Sequence, residues 1–210
     1  MLAQLVVDDV SSILNDADNV TYTLAQVVAA INDAQRAVCL YRPDACSSTS
    51  NYALVAGSRQ ELPSTAMRLM DVTRNMGVDG NTVGKAVRGT ASMSDLDNAD
   101  ADWHNATGSS VAQFIYDEAR PTEFYIYPTV SIPHFVEIKT ADKPVDIASG
   151  ASTLALVDKY APCLVSWAVY RLLSRDGDNS PNMQRSSSFE QSFYQLLGAK
   201  TQADSQILPE

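Results

Sequence analysis

The stretch DKYAPCLVSWAVYRLLSRDGD, residues 158–178, constrains this chain more than any other. Read at 3.6 residues per turn, it carries apolar side chains on nearly every side. A helix of that kind leaves no face for water and has to be buried by several neighbours. The chain must therefore supply other helices to surround it. Asp158 is a sensible N-cap for it and Gly177 a sensible stop.

Those partners lie at the two ends of the sequence. Residues 2–15 repeat Leu2, Leu5, Val6, Val10, Ile13 and Leu14 at helical spacing. A second helix opens at Thr23, an N-cap with Gln26 in the capping-box position. Leu24, Val27, Val28, Ile31, Ala34 and Val38 form its apolar stripe, while Asn32, Asp33, Gln35 and Arg36 lie off it. Pro43 ends it just after Arg42. A last helix starts near Pro181 and runs past Leu197, with Met183, Phe189, Phe193, Leu196 and Leu197 as its stripe.

Between these ends the period changes from 3.6 to 2. SSTSNYALVAGSRQELP predicts two short strands around a turn at Gly57-Ser58. MRLMDVTRNMG follows, then a turn at Asp79-Gly80 and a strand at GKAVRG. SVAQFIYDEARPTEFYIYP predicts two strands, with Phe124 and Ile126 on one face of the second and Tyr125 and Tyr127 on the other. HFVEIKTADKP adds a strand in which Phe135, Glu137 and Lys139 oppose Val136 and Ile138. The expected class is α+β: a helical bundle formed by the N- and C-terminal helices (1–43 and 153–200), with a central β-rich insertion at 44–152. Residues 201–210 are expected to be an extended C-terminal tail.

Charge narrows the function. With 15 Lys and Arg against 25 Asp and Glu, the net charge is −10. That balance opposes any role based on gripping the phosphate backbone, which relies on basic side chains releasing counterions. No run of about 18 apolar residues is present, so no membrane span is expected. The N-terminus lacks the basic region and cleavage site of a signal peptide. Cys39, Cys46 and Cys163 are odd in number and lack CxxC spacing, which argues against a disulfide framework and a zinc site. Cys39 and Cys163 read as small buried hydrophobes, and the thiols fit assembly in a reducing cytosol.

DNADADWHNATGSS, residues 97–110, is the stretch most like a reactive site. It gathers carboxylates around Trp103 and His104, one of two histidines. Counted as a calcium loop from Asp95, position 5 is Ala99, position 6 is Asp100 and position 12 is Ala106, so the pattern fails. No nucleophile elbow, HExxH or Walker loop accompanies His104. The expectation is no metal, no cofactor and no catalytic residue. Trp103 is read as an anchor, His104 as a hydrogen-bonded structural group, and Trp167 as structural; Asp100 or Asp102 is read as a cap. A hydrolase using His104 and a monomeric β-rich ligand- or receptor-binding module are the competing readings.

Several stretches together resemble tailed-bacteriophage head-to-tail adaptor (connector) proteins, the gatekeeper-type subunits that dock on a portal. They are AINDAQRAVCLYRPDA (30–45), LVAGSRQELP (54–63), RLMDVTRNMGVDG (68–80), DADWHNA (100–106), YDEARPTEFYIYPTV (116–130), VDKYAPCLVSWAVYRLLSRD (157–176) and FEQSFYQLLGAKTQAD (189–204). The resemblance spans most of the chain and rests on the set. It implies a homo-oligomeric ring of twelve subunits between the portal and a tail tube or nozzle protein. DNA would pass through its lumen without specific binding. It implies a place at the head–tail junction of the virion after assembly in the host cytoplasm. It also implies that the C-terminal tail reaches the portal, with Lys200, Ile207 and Leu208 as the contacting residues. An acidic wall suits such a conduit, because attraction would retard DNA.

Overall fold

A computed structural model describes residues 1–89, 92–175 and 180–207, with side chains described for all of these except 180 and 199–207. The elements are α1 (Ala3–Leu14), α2 (Leu24–Tyr41), β1 (Ser47–Ala53), β2 (Arg59–Glu61), β3 (Ala66–Asn75), α3 (Met93–Ala99), β4 (Thr107–Gly108), β5 (Gln113–Tyr116), β6 (Glu123–Tyr127), β7 (Thr129–Val130), β8 (Phe135–Asp142), α4 (Ala161–Leu173) and α5 (Ser180–Ile207). They separate into two compact units. One is Met1–Cys46 with the chain from Pro144, and the other is Ser47–Lys143.

The first unit is built around α4. Cys163, Leu164, Val165, Ala168, Val169, Leu172 and Leu173 are all buried, so most of the helix circumference is covered, with Trp167 and Tyr170 half-buried and Arg171 exposed. α1, α2 and α5 each pack on it. This corrects the expected architecture. Among the described residues the chain is α+β, with five helices and eight strands in three sheets, but its helices are not a terminal bundle. One of them, α3, lies among the central strands, and the others share a helix rather than a common four-sided core. The reason is the apolar circumference of α4, which makes one helix the partner of three. Asp158 does not cap α4. It opens a 3-10 turn ahead of the helix, and its carboxylate lies 3.4 Å from the amino group of Met1. Pro162 occupies the first turn, where no backbone donor is needed. The helix stops at Leu173, and Gly177 lies outside the described residues.

The Thr23 capping box forms in full, with the Gln26 side chain accepting from Thr23 N–H and Thr23 Oγ1 accepting from Gln26 N–H. The polar side of α2 is not a solvent face, however. Asn32 is buried and exchanges two hydrogen bonds with Ile147, at 3.0 and 2.9 Å, and fully buried Gln35 accepts from Ala155 N–H at 3.1 Å. These amides satisfy backbone groups at Ile147 and Ala155, in a segment that belongs to no helix or strand. The same segment holds the start of α1, through Ala3 N–H to Ser152 O and Gln4 N–H to Gly150 O. After α1, Asp16 turns the chain: its carboxylate accepts from the N–H groups of Val20, Thr21 and Tyr22.

Cys39 and Cys46 are joined in a disulfide, contrary to the reading from cysteine count and spacing. The 3-10 turn Pro43–Cys46 brings their Cα atoms to 5.7 Å, within bridging range, and that folding-back is not visible in the spacing alone. Cys163 is buried and takes no part in the disulfide.

The second unit contains two three-stranded antiparallel sheets, ordered β1-β8-β3 and β2-β6-β5, and a short parallel pair β4-β7. Alternation along β8 buries Val136 and Ile138 and leaves Phe135, Glu137 and Lys139 partly exposed. Along β6, Phe124 and Ile126 are buried and Tyr125 and Tyr127 half-buried. With Leu54, Leu69, Val72, Val111 and Phe114 these residues form one core. Two strand expectations change. β1 and β2 are not a hairpin, because β1 pairs with β8 and β2 with β6. GKAVRG supplies only isolated bridges, Arg74 to Ala86 and Arg88 to Gln113.

Candidate functional site

The stretch 97–110 begins on α3, whose first residue is Met93. Beyond it, residues 103–105 form a single 3-10 turn. Trp103 is fully buried, and its indole N–H donates to Asp97 Oδ1 at 2.7 Å. Its ring stacks on that of His104 at 3.7 Å between centroids and meets Tyr125 and Tyr127 edge-on, each at 6.2 Å. A buried indole needs a partner for its one donor, and Asp97 supplies it from six residues upstream. Asp100 accepts from Asp102 N–H at 3.0 Å, and Asp102 accepts from the Asn105 side chain. Thr129 closes the stretch onto β7, its N–H and hydroxyl both donating to Ala106 O.

His104 is exposed, and its Nδ1 lies 2.8 Å from Ser58 Oγ. Serine and histidine thus meet, but no hydrogen bond joins the imidazole to a carboxylate among the described residues. A serine nucleophile needs a base that is itself oriented, and here the orienting surface is the Trp103 ring. Among the described residues no group of three or more His, Cys, Asp or Glu is placed to hold a metal ion.

Sequence reasoning passed over a second polar centre. Asn75 is buried at the end of β3. Its Oδ1 accepts from Val111 N–H at 2.9 Å and lies 3.0 Å from His134 Nε2, while its Nδ2 donates to the carbonyls of Lys85 and Val111. One amide therefore ties β3 to three loops. Desolvation holds the His134 pKa below the usual histidine value. An asparagine inside a strand, where its propensity is poor, was the only signal.

A cleft of about 840 Å³ lies in the second unit between the start of α3 and the β5-β6 hairpin. Its charged rim is already engaged, with Glu118 on Arg68 at 2.7 Å and Glu123 on Arg59 at 2.8 Å.

In the first unit Trp167 is half-buried, with Phe193 at 4.6 Å and Tyr170 at 5.1 Å between centroids. α5 remains helical through Ile207, where an extended tail was expected from residue 201. The side chains of Lys200 and Ile207, and Leu208 altogether, lie outside the described residues. No described helix is long and apolar enough to cross a membrane.

No curated protein matches the chain. A family model described as SU10 adaptor protein matches residues 1–209, from the start of α1 through the end of α5. The match spans α4 with its three partners, the β-rich centre and the Trp103 staple, and the chain belongs to the SU10 adaptor protein family, a family of phage head-to-tail adaptors.

Proposed function

We propose that this adaptor forms a homo-oligomeric ring, of twelve subunits, beneath the portal, and that the ring joins the capsid to a tail tube or nozzle protein. The observation that carries this reading is the family match across residues 1–209. Three features support it. A net charge of −10 suits a lumen through which DNA slides without being held. The buried polar groups of the Trp103 and Asn75 centres are consumed by internal hydrogen bonds, as in a scaffold. α5, at 28 residues, is about 42 Å long against about 20 Å for α4, so it outruns the helix it packs on. We assign its end, with Lys200, Ile207 and Leu208, to the portal contact, and we place the ring at the head–tail junction after assembly in the host cytoplasm.

Electron microscopy of the protein mixed with its portal tests the proposal: a ring stacked on the portal is expected, and a subunit that stays monomeric and never joins the portal refutes it. Deleting residues 200–210 should abolish docking and lower the helical circular dichroism signal only by the share of α5 removed; unchanged docking would overturn the assignment of the C-terminal residues.

A further inference from the structure

In the first unit, two adjoining cavities of about 310 and 290 Å³ share Asp33 and Arg171 and form one groove along the seam of α2 and α4. From Gln26 to Leu40 the seam is about 21 Å long. Ala29, Ala30 and Ala37 lie along it, so another backbone can approach closely. At one end stand exposed Leu40, Tyr41 and the half-buried Trp167. Arg36, Arg171 and Arg175 line the rest, set against Asp33 and, beside Arg36, Asp146. Three arginines facing two aspartates are a local excess of positive charge in a chain of net −10. Trp, Tyr and Arg around a groove are also the composition of binding hot spots.

The second unit carries a matching piece. α3 is a seven-residue helix with no buried residue. A helix this short does not stand alone in water without burying a face. It presents Met93, which is exposed, half-buried Leu96, and the carboxylate of Asp95, with Asp100 at its end, while Asp97 holds the Trp103 indole. At about 10 Å it is shorter than the groove.

We infer that α3 of one copy docks in the α2–α4 groove of a second copy, its aspartates against Arg171 and Arg175 and Met93 toward Leu40 and Trp167. The two surfaces differ, so the contact is head-to-tail, the type that generates rings and not closed two-fold dimers. Charge selects the occupant: an acidic chain repels its own copies except where one presents arginine to the other's aspartate. The inference deepens the ring reading and rests on it.

The test uses full-length protein, with mass read by analytical ultracentrifugation across concentration and with portal present. In Arg171→Glu/Arg175→Glu, and separately in Asp95→Lys/Asp100→Lys, the concentration for assembly should rise about tenfold or more, from two lost exposed ion pairs made repulsive. Combining all four changes in one chain should restore assembly, which excludes misfolding as the cause. Mixing the two double variants should also restore rings, with the two chains alternating, because every contact then sets a basic surface against an acidic one. Wild-type assembly that persists in both double variants overturns the groove contact and leaves the ring reading standing. So does a loss confined to portal binding, which would make the portal the occupant of the groove. A wild-type chain that never assembles overturns the ring reading itself.

Discussion

Replacing Trp103 by Ala should be the most damaging single change in the 97–110 stretch. The side chain is fully buried and touches His104, Tyr125 and Tyr127. Truncating a buried tryptophan costs about 3–5 kcal/mol, from lost transfer energy and the cavity left behind. The hydrogen bond to Asp97 is a separable part. A bond to a charged acceptor contributes about 1.5–3 kcal/mol when buried, but Asp97 is exposed, so about 1 kcal/mol is the working figure. Asp97→Ala should therefore cost about 1 kcal/mol in the native background and almost nothing in Trp103→Phe, where the donor is already gone. Urea denaturation by circular dichroism reads the sums. Amide exchange reads the location: peptides from β6 and β7 should exchange about 100-fold faster in Trp103→Ala, and α4 should be unaffected. A loss below about 1 kcal/mol for Trp103→Ala, or an equal cost of Asp97→Ala in both backgrounds, refutes the staple.

Other outcomes follow from the same contacts. Because burial depresses the folded-state pKa of His134, its contribution is complete above the unfolded value of about 6.5 and is lost as pH falls through the lower folded value. His134→Gln should flatten the stability profile across that acidic window in urea titrations at stepped pH. Asp16 has its pKa lowered, chiefly by the Tyr22 N–H, so the stability it provides is present above the ordinary carboxylate value and disappears as pH falls through the depressed one. Asp16→Asn should remove that pH dependence, read as exchange rates of the amides of residues 20–22. A Cβ at Gly108 would sit 2.5 Å from Pro128 Cγ in a ring that cannot swing aside, so Gly108→Ala should cost about 1–3 kcal/mol. Gly89→Ala, which meets nothing within 4 Å, should leave the melting temperature unchanged.

Individual elements were legible in sequence to different degrees. The Thr23-Gln26 box and the alternation of β6 and β8 were readable because they depend on neighbours two to four residues away. The disulfide was missed because Cys46 reaches Cys39 only through a turn. Asn32 and Gln35 looked solvent-facing because periodicity marks polarity, whereas their burial depends on a backbone segment more than a hundred residues away. In the 97–110 stretch, Trp103 and His104 stood out by residue type, but Ser58 and Asn75 did not, since each matters only through a distant partner.

The sequence by itself determined that α4 must be surrounded, that the centre is strand-forming, and that phosphate gripping is opposed by the charge balance. These follow from period and charge, which are properties of the linear chain. Only the tertiary structure decided that three helices share α4 in place of a terminal bundle, that β1 and β2 belong to different sheets, and that the acidic stretch is pinned by one indole. Each of these is a choice among partners that local preference leaves equally open, and long-range packing with satisfaction of buried polar groups selects one.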